Sequence, residues 1–371
     1  MFSRVAACET PRARPPLSDD MAHVTEQAKA DPSQRRRPAR APRAAHHRPG
    51  GGFENPWPDA EQAGFLRLLE WIIIKRGLTR LLRAPDYALF KPVASSFATP
   101  RASVAETSVT WVGHSSFLLQ IAGANVLTDP VWSDRASPTR STGPRRWIAP
   151  AVEFDALPPI DVVLLSHNHY DHLDDATVRR LARSHARAEW IVPLGLKRFL
   201  ARRGISRVTE LDWWDETRVG ALSIGAAPAQ HFSARGLGDR NRTLWCSYAI
   251  TGADRRIFFA GDTGLHPEFA RIGARFGPFD IVLLPIGAYE PRWFMRPVHM
   301  NPEDAVSAYQ QLRSGASRAH ATKFIPMHWG TFRLTDEPMT EPPERLRAAW
   351  KAAGLEEELL RVLRHGETSR G

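Results

Sequence analysis

Ser166-His167-Asn168-His169-Tyr170-Asp171-His172-Leu173-Asp174 follows the apolar run Val162-Val163-Leu164-Leu165, and its reading decides that of the whole chain. Residues two apart in an extended segment point the same way, so His167 and His169 can offer two imidazoles to one cation. The chain then turns toward a helix, where Asp171 and His172 can face a second cation beside the first. Imidazole with carboxylate suits zinc, with manganese and iron as alternatives. Four ligands do not complete two sites, so the pattern demands more downstream. It finds them at the ends of strand candidates, in Gln230-His231, Ala260-Gly261-Asp262-Thr263-Gly264 and Met327-His328-Trp329-Gly330. A strand end leading into a turn holds a loop residue on a rigid support. The expected sets are His167, His169 and His231 for one ion and Asp171, His172 and His328 for the other, with Asp262 between them.

Around this motif, short β-branched runs alternate with helical segments from about residue 107 onward. Strands are expected at Ser108–Gly113, Phe117–Ile121, Asn125–Thr128, Asp161–Ser166, Glu189–Pro193, Leu222–Ala227, Leu244–Thr251, Arg256–Ala260, Asp280–Pro285 and Lys323–Met327. Helices are expected near 174–184, 194–203, 302–313 and 343–353. Asn301-Pro302-Glu303-Asp304 opens the third with an N-cap, a proline at its first position and acidic residues in its first turn. Many strands with interspersed helices indicate a layered α/β domain.

The 371 residues carry 50 Lys+Arg against 40 Asp+Glu. Residues 1–52 hold seven prolines, one aromatic and the run Gln34-Arg35-Arg36-Arg37-Pro38-Ala39-Arg40, too little apolar surface to offset ordering entropy. They are expected to be a disordered tail, with the folded domain spanning 53–371. Within it, 53–106 forms an extension whose residues 61–83 read as an amphipathic, cation-edged helix suited to a lipid surface, the domain body or a partner subunit. The longest apolar stretch, around Trp71-Ile72-Ile73-Ile74, is far shorter than the roughly 20 residues of a membrane-spanning helix. No convincing signal peptide precedes the domain, because the apolar run Val5-Ala6-Ala7 is too short. A cytoplasmic enzyme, peripheral on the membrane at most, is the expectation. Two cysteines, Cys8 and Cys246, exclude a disulfide scaffold and a cysteine-based zinc ribbon. The basic arm invites a nucleic-acid reading, but charge runs are usually solvated, and no specific nucleic acid is expected.

The motif with its later His, Asp and His resembles the metallo-β-lactamase superfamily. Further runs narrow the likeness: Asn55-Pro56-Trp57-Pro58, Trp111-Val112-Gly113-His114, Leu127-Thr128-Asp129-Pro130, Arg135-Ala136-Ser137-Pro138, Gly261-Asp262-Thr263-Gly264, Met327–Phe332 and above all Pro285–Met295. These resemble the N-acyl-phosphatidylethanolamine phospholipase D branch, over roughly residues 53–350. The resemblance implies an αβ/βα sandwich of two mixed sheets with two zinc ions at one edge. It implies a phospholipid substrate, cleaved to phosphatidic acid and an N-acylethanolamine. Tyr170 and His299 match positions that contact the lipid, Asp129 matches an aspartate that orients a ligand histidine, and His114 is a further supporting group. A homodimer is a further expectation.

Chemistry and resemblance agree on mechanism: a water shared by two cations ionises near neutral pH and attacks phosphorus in line, with Asp171 handling its proton. The same ligand set would equally serve a lactone or another phosphoester, so the motif alone does not choose among them. An iron-based oxygen-reducing relative is disfavoured, since those enzymes carry Glu where this chain has His169. His23, His46, His47, His185, His320 and His365 are read as satisfied core or surface residues. Asp262 in isolation would be an Asx-turn residue before Gly264.

Overall fold

A computed structural model describes residues 44–58, 90–236, 238–315 and 320–371. The helix expected at 61–83 lies outside them, as does the tail up to residue 43. Residues 44–52 correct the expected tail boundary, because they pack on the domain. His46, only 5% exposed, and His47 each donate from Nε2 to one oxygen of Asp212, both at 2.6 Å, and Phe53 N donates to Asn241 O at 2.8 Å. One buried and one half-buried imidazole thus share the two oxygens of one carboxylate.

Two mixed sheets form the body. The first joins β1 (Ser108–Gly113), β2 (Ser116–Ile121), β3 (Ala124–Thr128), β4 (Val162–Leu164), β5 (Glu189–Pro193), β6 (Val208–Leu211) and β13 (Thr368–Arg370) in the order β13-β1-β2-β3-β4-β5-β6. The second joins β7 (Glu216–Val219), β8 (Leu222–Ala227), β9 (Ser247–Gly252), β10 (Arg255–Phe259), β11 (Ile281–Pro285) and β12 (Lys323–Met327) in the order β12-β11-β10-β9-β8-β7. Pairing is antiparallel from β13 to β3 and from β7 to β10, and parallel along β3-β4-β5-β6 and β10-β11-β12.

The sheets face each other across one core. Phe117, Leu119 and Leu164 from the first meet Ile250, Phe258 and Leu283 of the second there. Their strand neighbours Leu118, Val163 and Leu165 point the opposite way, against Val178 and Leu181 of α1 (Asp175–Ser184) and near Leu200 of α2 (Lys197–Ala201). Both faces of β4 are therefore buried, which is why it reads as continuous aliphatics rather than alternating residues. On the far side, α3 (Phe269–Phe276), α5 (Pro302–Leu312) and α6 (Glu341–Ala352) cover the second sheet, with a short helix α4 (Arg292–Met295) between α3 and α5. At the start of α5, Asn301 Oδ1 accepts from Asp304 N and Asp304 accepts from Asn301 N, the reciprocal cap its sequence predicts. This is the expected αβ/βα sandwich. No helix among the described residues is long and apolar enough to cross a membrane.

Candidate metal centre

The loop after β4 delivers His167, His169, Asp171 and His172. The turns after β10 and β12 deliver Asp262 and His328, and the segment between β8 and β9 delivers His231. All seven converge. His169 Nδ1 lies 2.8 Å from His167 Nε2 and 3.1 Å from His231 Nε2. Asp171 Oδ2 lies 3.4 Å from Nε2 of both His172 and His328. Asp262 Oδ2 sits between the groups, 3.1 Å from His172 Nε2, 3.0 Å from His328 Nε2, 3.9 Å from His167 Nε2 and 3.8 Å from His231 Nε2.

Hydrogen bonds behind these rings fix which nitrogen faces inward. His231 Nδ1–H donates to Val298 O at 3.0 Å, and His172 Nδ1–H donates to Asp129 Oδ2 at 2.7 Å. His167 Nδ1–H donates to Ser166 Oγ at 2.9 Å, and that hydroxyl donates in turn to Asp129 Oδ2 at 2.6 Å. The Nε2 lone pairs of all three histidines are thus turned toward the shared space. His172 Nε2, Asp262 Oδ1 and both ring nitrogens of His328 are buried with no hydrogen-bond partner among the described residues. Orphaned donors and acceptors of this kind need an explanation, and a cation supplies one. The inward nitrogens of the first set also approach the roughly 3.3 Å edge of a tetrahedron with bonds near 2.0–2.1 Å. The residues fit two divalent cations.

Burial and charge act differently across the cluster. Burial, with neighbouring histidines, pushes His167 well below the usual imidazole pKa; burial also pushes His231 well below it and His169 down to about 4, against the pull of nearby carboxylates. For His172 and His328 burial works the same way, but the charge of Asp262, with help from Asp171, outweighs it; His172 is held well above its usual value and His328 at about 9. Burial opposes ionisation of Asp171 and Asp262, yet the facing histidines win and hold both well below the usual carboxylate range.

The remaining expected residues also gather here. His114 Nε2 is 3.0 Å from Asp171 Oδ2, and its ring centroid is 4.1 Å from that of His328. His299 Nδ1 lies 3.9 Å from Asp262 Oδ2, buried and without a hydrogen-bond partner among the described residues. Tyr170 points along the rim instead: its hydroxyl donates to Arg235 O at 2.7 Å, with the Arg235 guanidinium 4.0 Å over its ring. Three residues here also take left-handed backbone: His114, Asp129 and His328 have φ of 56°, 33° and 61°. Non-glycine residues in that region cost about 1–3 kcal/mol each and persist where the surroundings over-determine them. Gly261 has φ of 58°, and a Cβ there would lie 2.4 Å from Ser166 Cβ, so only glycine lets the Asp262 turn close on the motif.

Three contacts escaped the sequence reading. Ser166 relays Asp129 to His167. Asn55 grips the backbone of His231 by donating from Nδ2 to its carbonyl at 2.8 Å and accepting its N–H at 3.2 Å. Arg235 donates to the carbonyls of Asn168 and Leu173, bracing the ligand loop from both ends. A hydroxyl directly before a ligand histidine was the one available signal.

Comparison with known proteins agrees with this geometry. A family profile described as a beta-lactamase superfamily domain matches residues 124–329. The chain is 46% identical over 286 residues to an uncharacterized protein of Mycobacterium tuberculosis, covering 76% of this chain and 73% of that one. It is 42% identical over 249 residues to the N-acyl-phosphatidylethanolamine-hydrolyzing phospholipase D 1 of Caenorhabditis elegans, covering 64% of this chain and 68% of the relative. Among solved structures, a metallo hydrolase of Ignicoccus hospitalis shares the fold at 22% identity and a TM-score of 0.53, covering 72% of this chain and 99% of that one. The chain belongs to the metallo-β-lactamase superfamily and is a metal-dependent hydrolase of that fold.

Proposed function

We propose that this chain is a dinuclear zinc phosphodiesterase that hydrolyses N-acyl-phosphatidylethanolamine-type phospholipids to phosphatidic acid and an N-acylethanolamine. One observation carries the dinuclear reading: Asp262 Oδ2 stands within 3.9 Å of inward nitrogens from both ligand groups. His167, His169 and His231 would hold one ion, Asp171, His172 and His328 the other, and Asp262 would touch both. Bound there, two zinc ions supply Lewis acidity toward phosphoryl oxygens and a water whose pKa falls to about 7. The lipid substrate is supported by similarity to the nematode phospholipase D.

The chain's own groups do the rest. Asp171, kept ionised, accepts the proton of the attacking water, and the His114 N–H holds its carboxylate at 3.0 Å. His299, with a buried Nδ1 that has no hydrogen-bond partner among the described residues, offers a hydrogen bond to the substrate's polar head, and Tyr170 lines a groove beside the ligand loop. Asp129 and Ser166 hold the histidines so that no reorientation is needed during reaction.

The test pairs an N-acyl phosphatidylethanolamine with a lactone panel on the purified chain, alongside metal content by mass spectrometry. Release of phosphatidic acid with two zinc per chain is expected. Turnover confined to lactones rejects the phospholipid assignment, and a coloured, iron-loaded protein rejects zinc.

A further inference from the structure

Tyr170 leads from the ligand loop into a groove of about 1020 Å³ whose lining is dominated by one residue type. Seven arginines face three aspartates there, an excess of four positive charges, with no lysine or glutamate. The aspartates are already engaged. Asp174 caps α1 and accepts from Ser133 and Thr177, Asp175 is shared by Arg179 and Arg203, and Asp134 lies 3.7 Å from Arg145. Arg140, on the loop wall, and Arg183, on the exposed face of α1, have no ion pair or hydrogen bond among the described residues. Packing like charges around a concave surface is unfavourable unless an anion enters it.

The size and walls of the groove narrow the anion. Its aromatic rings are already covered, Tyr170 by Arg235 and Phe199 by Arg203, so no bare ring face awaits a nucleobase. Guanidinium groups contributed by the 135–140 loop, by α1 and by Arg203 and Arg235 match phosphate oxygens, which accept paired N–H donors. A second feature points to lipid. Trp293, 46% exposed, lies on α4, the segment that leads to His299, and Arg292 of that helix donates to His299 O at 3.0 Å. An exposed indole on a helix tied to a buried histidine of the centre suits the boundary between headgroups and acyl chains.

We propose that the arginine groove beside Tyr170 binds phosphate headgroups of an anionic phospholipid surface and docks the metal centre against it. The groove thereby acts on the bilayer around the substrate as well as on the substrate. This goes beyond the proposed reaction, and vesicles free of N-acyl lipid test it apart from turnover.

The test is co-sedimentation of the full chain with vesicles of phosphatidylcholine alone or mixed with phosphatidylglycerol. Wild type should bind only the mixed vesicles. Each cation near such a surface contributes about fivefold to partitioning, so R140Q/R183Q should bind about twentyfold more weakly and R140E/R183E more weakly still. Melting temperatures should match wild type, because neither arginine has a partner to lose among the described residues. Unchanged binding in the groove variants, with loss on R35E/R36E/R37E in the leader, would assign the membrane contact to the leader and overturn the proposal. So would groove-dependent binding of inorganic phosphate or of an oligonucleotide without any binding to vesicles.

Discussion

His167 and His231, with the half-buried His169 beside them, and His172 and His328 on the other side, share one enclosed cluster yet are driven in opposite directions. In the first group burial prevails: the more distant Asp262, joined by Asp171 at His169, raises these rings without overcoming it. In the second group burial is overridden by Asp262 and Asp171, and the rings are driven toward the charged form. His266 supplies the reference. It is stacked between Trp57 and Phe269, and burial alone pushes it down to about 3. One residue type thus meets three environments, and the carboxylates make the difference. A trio of neutral nitrogens could take a divalent cation without displacing protons, whereas the carboxylate-rich half concentrates negative charge that would hold a second one.

Removing one nitrogen from the neutral trio should break this arrangement most completely. His169→Ala leaves two ligands in the first set while the sandwich core, remote from the rim, stays intact. Turnover should fall by at least about a thousandfold, with metal content dropping toward one ion per chain and an unchanged circular dichroism spectrum. Two ions retained after this change would mean that His169 is not a ligand.

Asp129 and Ser166 sharpen the comparison at smaller cost. Asp129 accepts directly from His172 and reaches His167 only through Ser166. Asp129→Asn should therefore weaken both ions, and Ser166→Ala the first alone. Losses of about 10–100-fold in affinity are expected for supporting groups of this kind. Metal titration resolves the two steps, and a Ser166→Ala chain that weakens both ions equally would remove the relay.

What was legible in the sequence follows from where each signal resides. The bounds of β1, β5, β8 and β12 could be read directly, because each carries a short run rich in apolar and β-branched residues. β6, β7 and β13 were missed. They are short and carry residues such as Glu210, Glu216 and Ser369, so their pairing rests on backbone hydrogen bonds to neighbouring strands. α3 was missed too, with Gly273 at its centre lowering its helical signal. A Cβ there would lie 2.1 Å from Leu312 O, so the glycine serves close packing against α5. α2 proved shorter than the 194–203 expected. The seven converging residues were legible because spacing and strand-end position encode them locally. Asn55 was not assigned its contact, since its grip on His231 spans 176 residues and leaves no local pattern.

The reference histidine yields the smallest effect and the cleanest control. His266 is kept neutral by burial, so the folded chain binds fewer protons there than the unfolded chain, whose imidazole titrates near 6.5. Its contribution is fully present above that pH and is lost progressively as pH falls from 6.5 toward about 3. At about pH 5 the loss amounts to about 2 kcal/mol, at 1.36 kcal/mol per pH unit. His266→Phe keeps an aromatic ring between Trp57 and Phe269 and cannot take up a proton. Urea unfolding of both proteins at neutral pH and near pH 5 isolates the difference, because the ligand histidines change alike in each. The variant should lose about 2 kcal/mol less than wild type on acidification; equal losses would show that burial alone does not hold an imidazole neutral here, and would weaken the contrast drawn for His167 and His231.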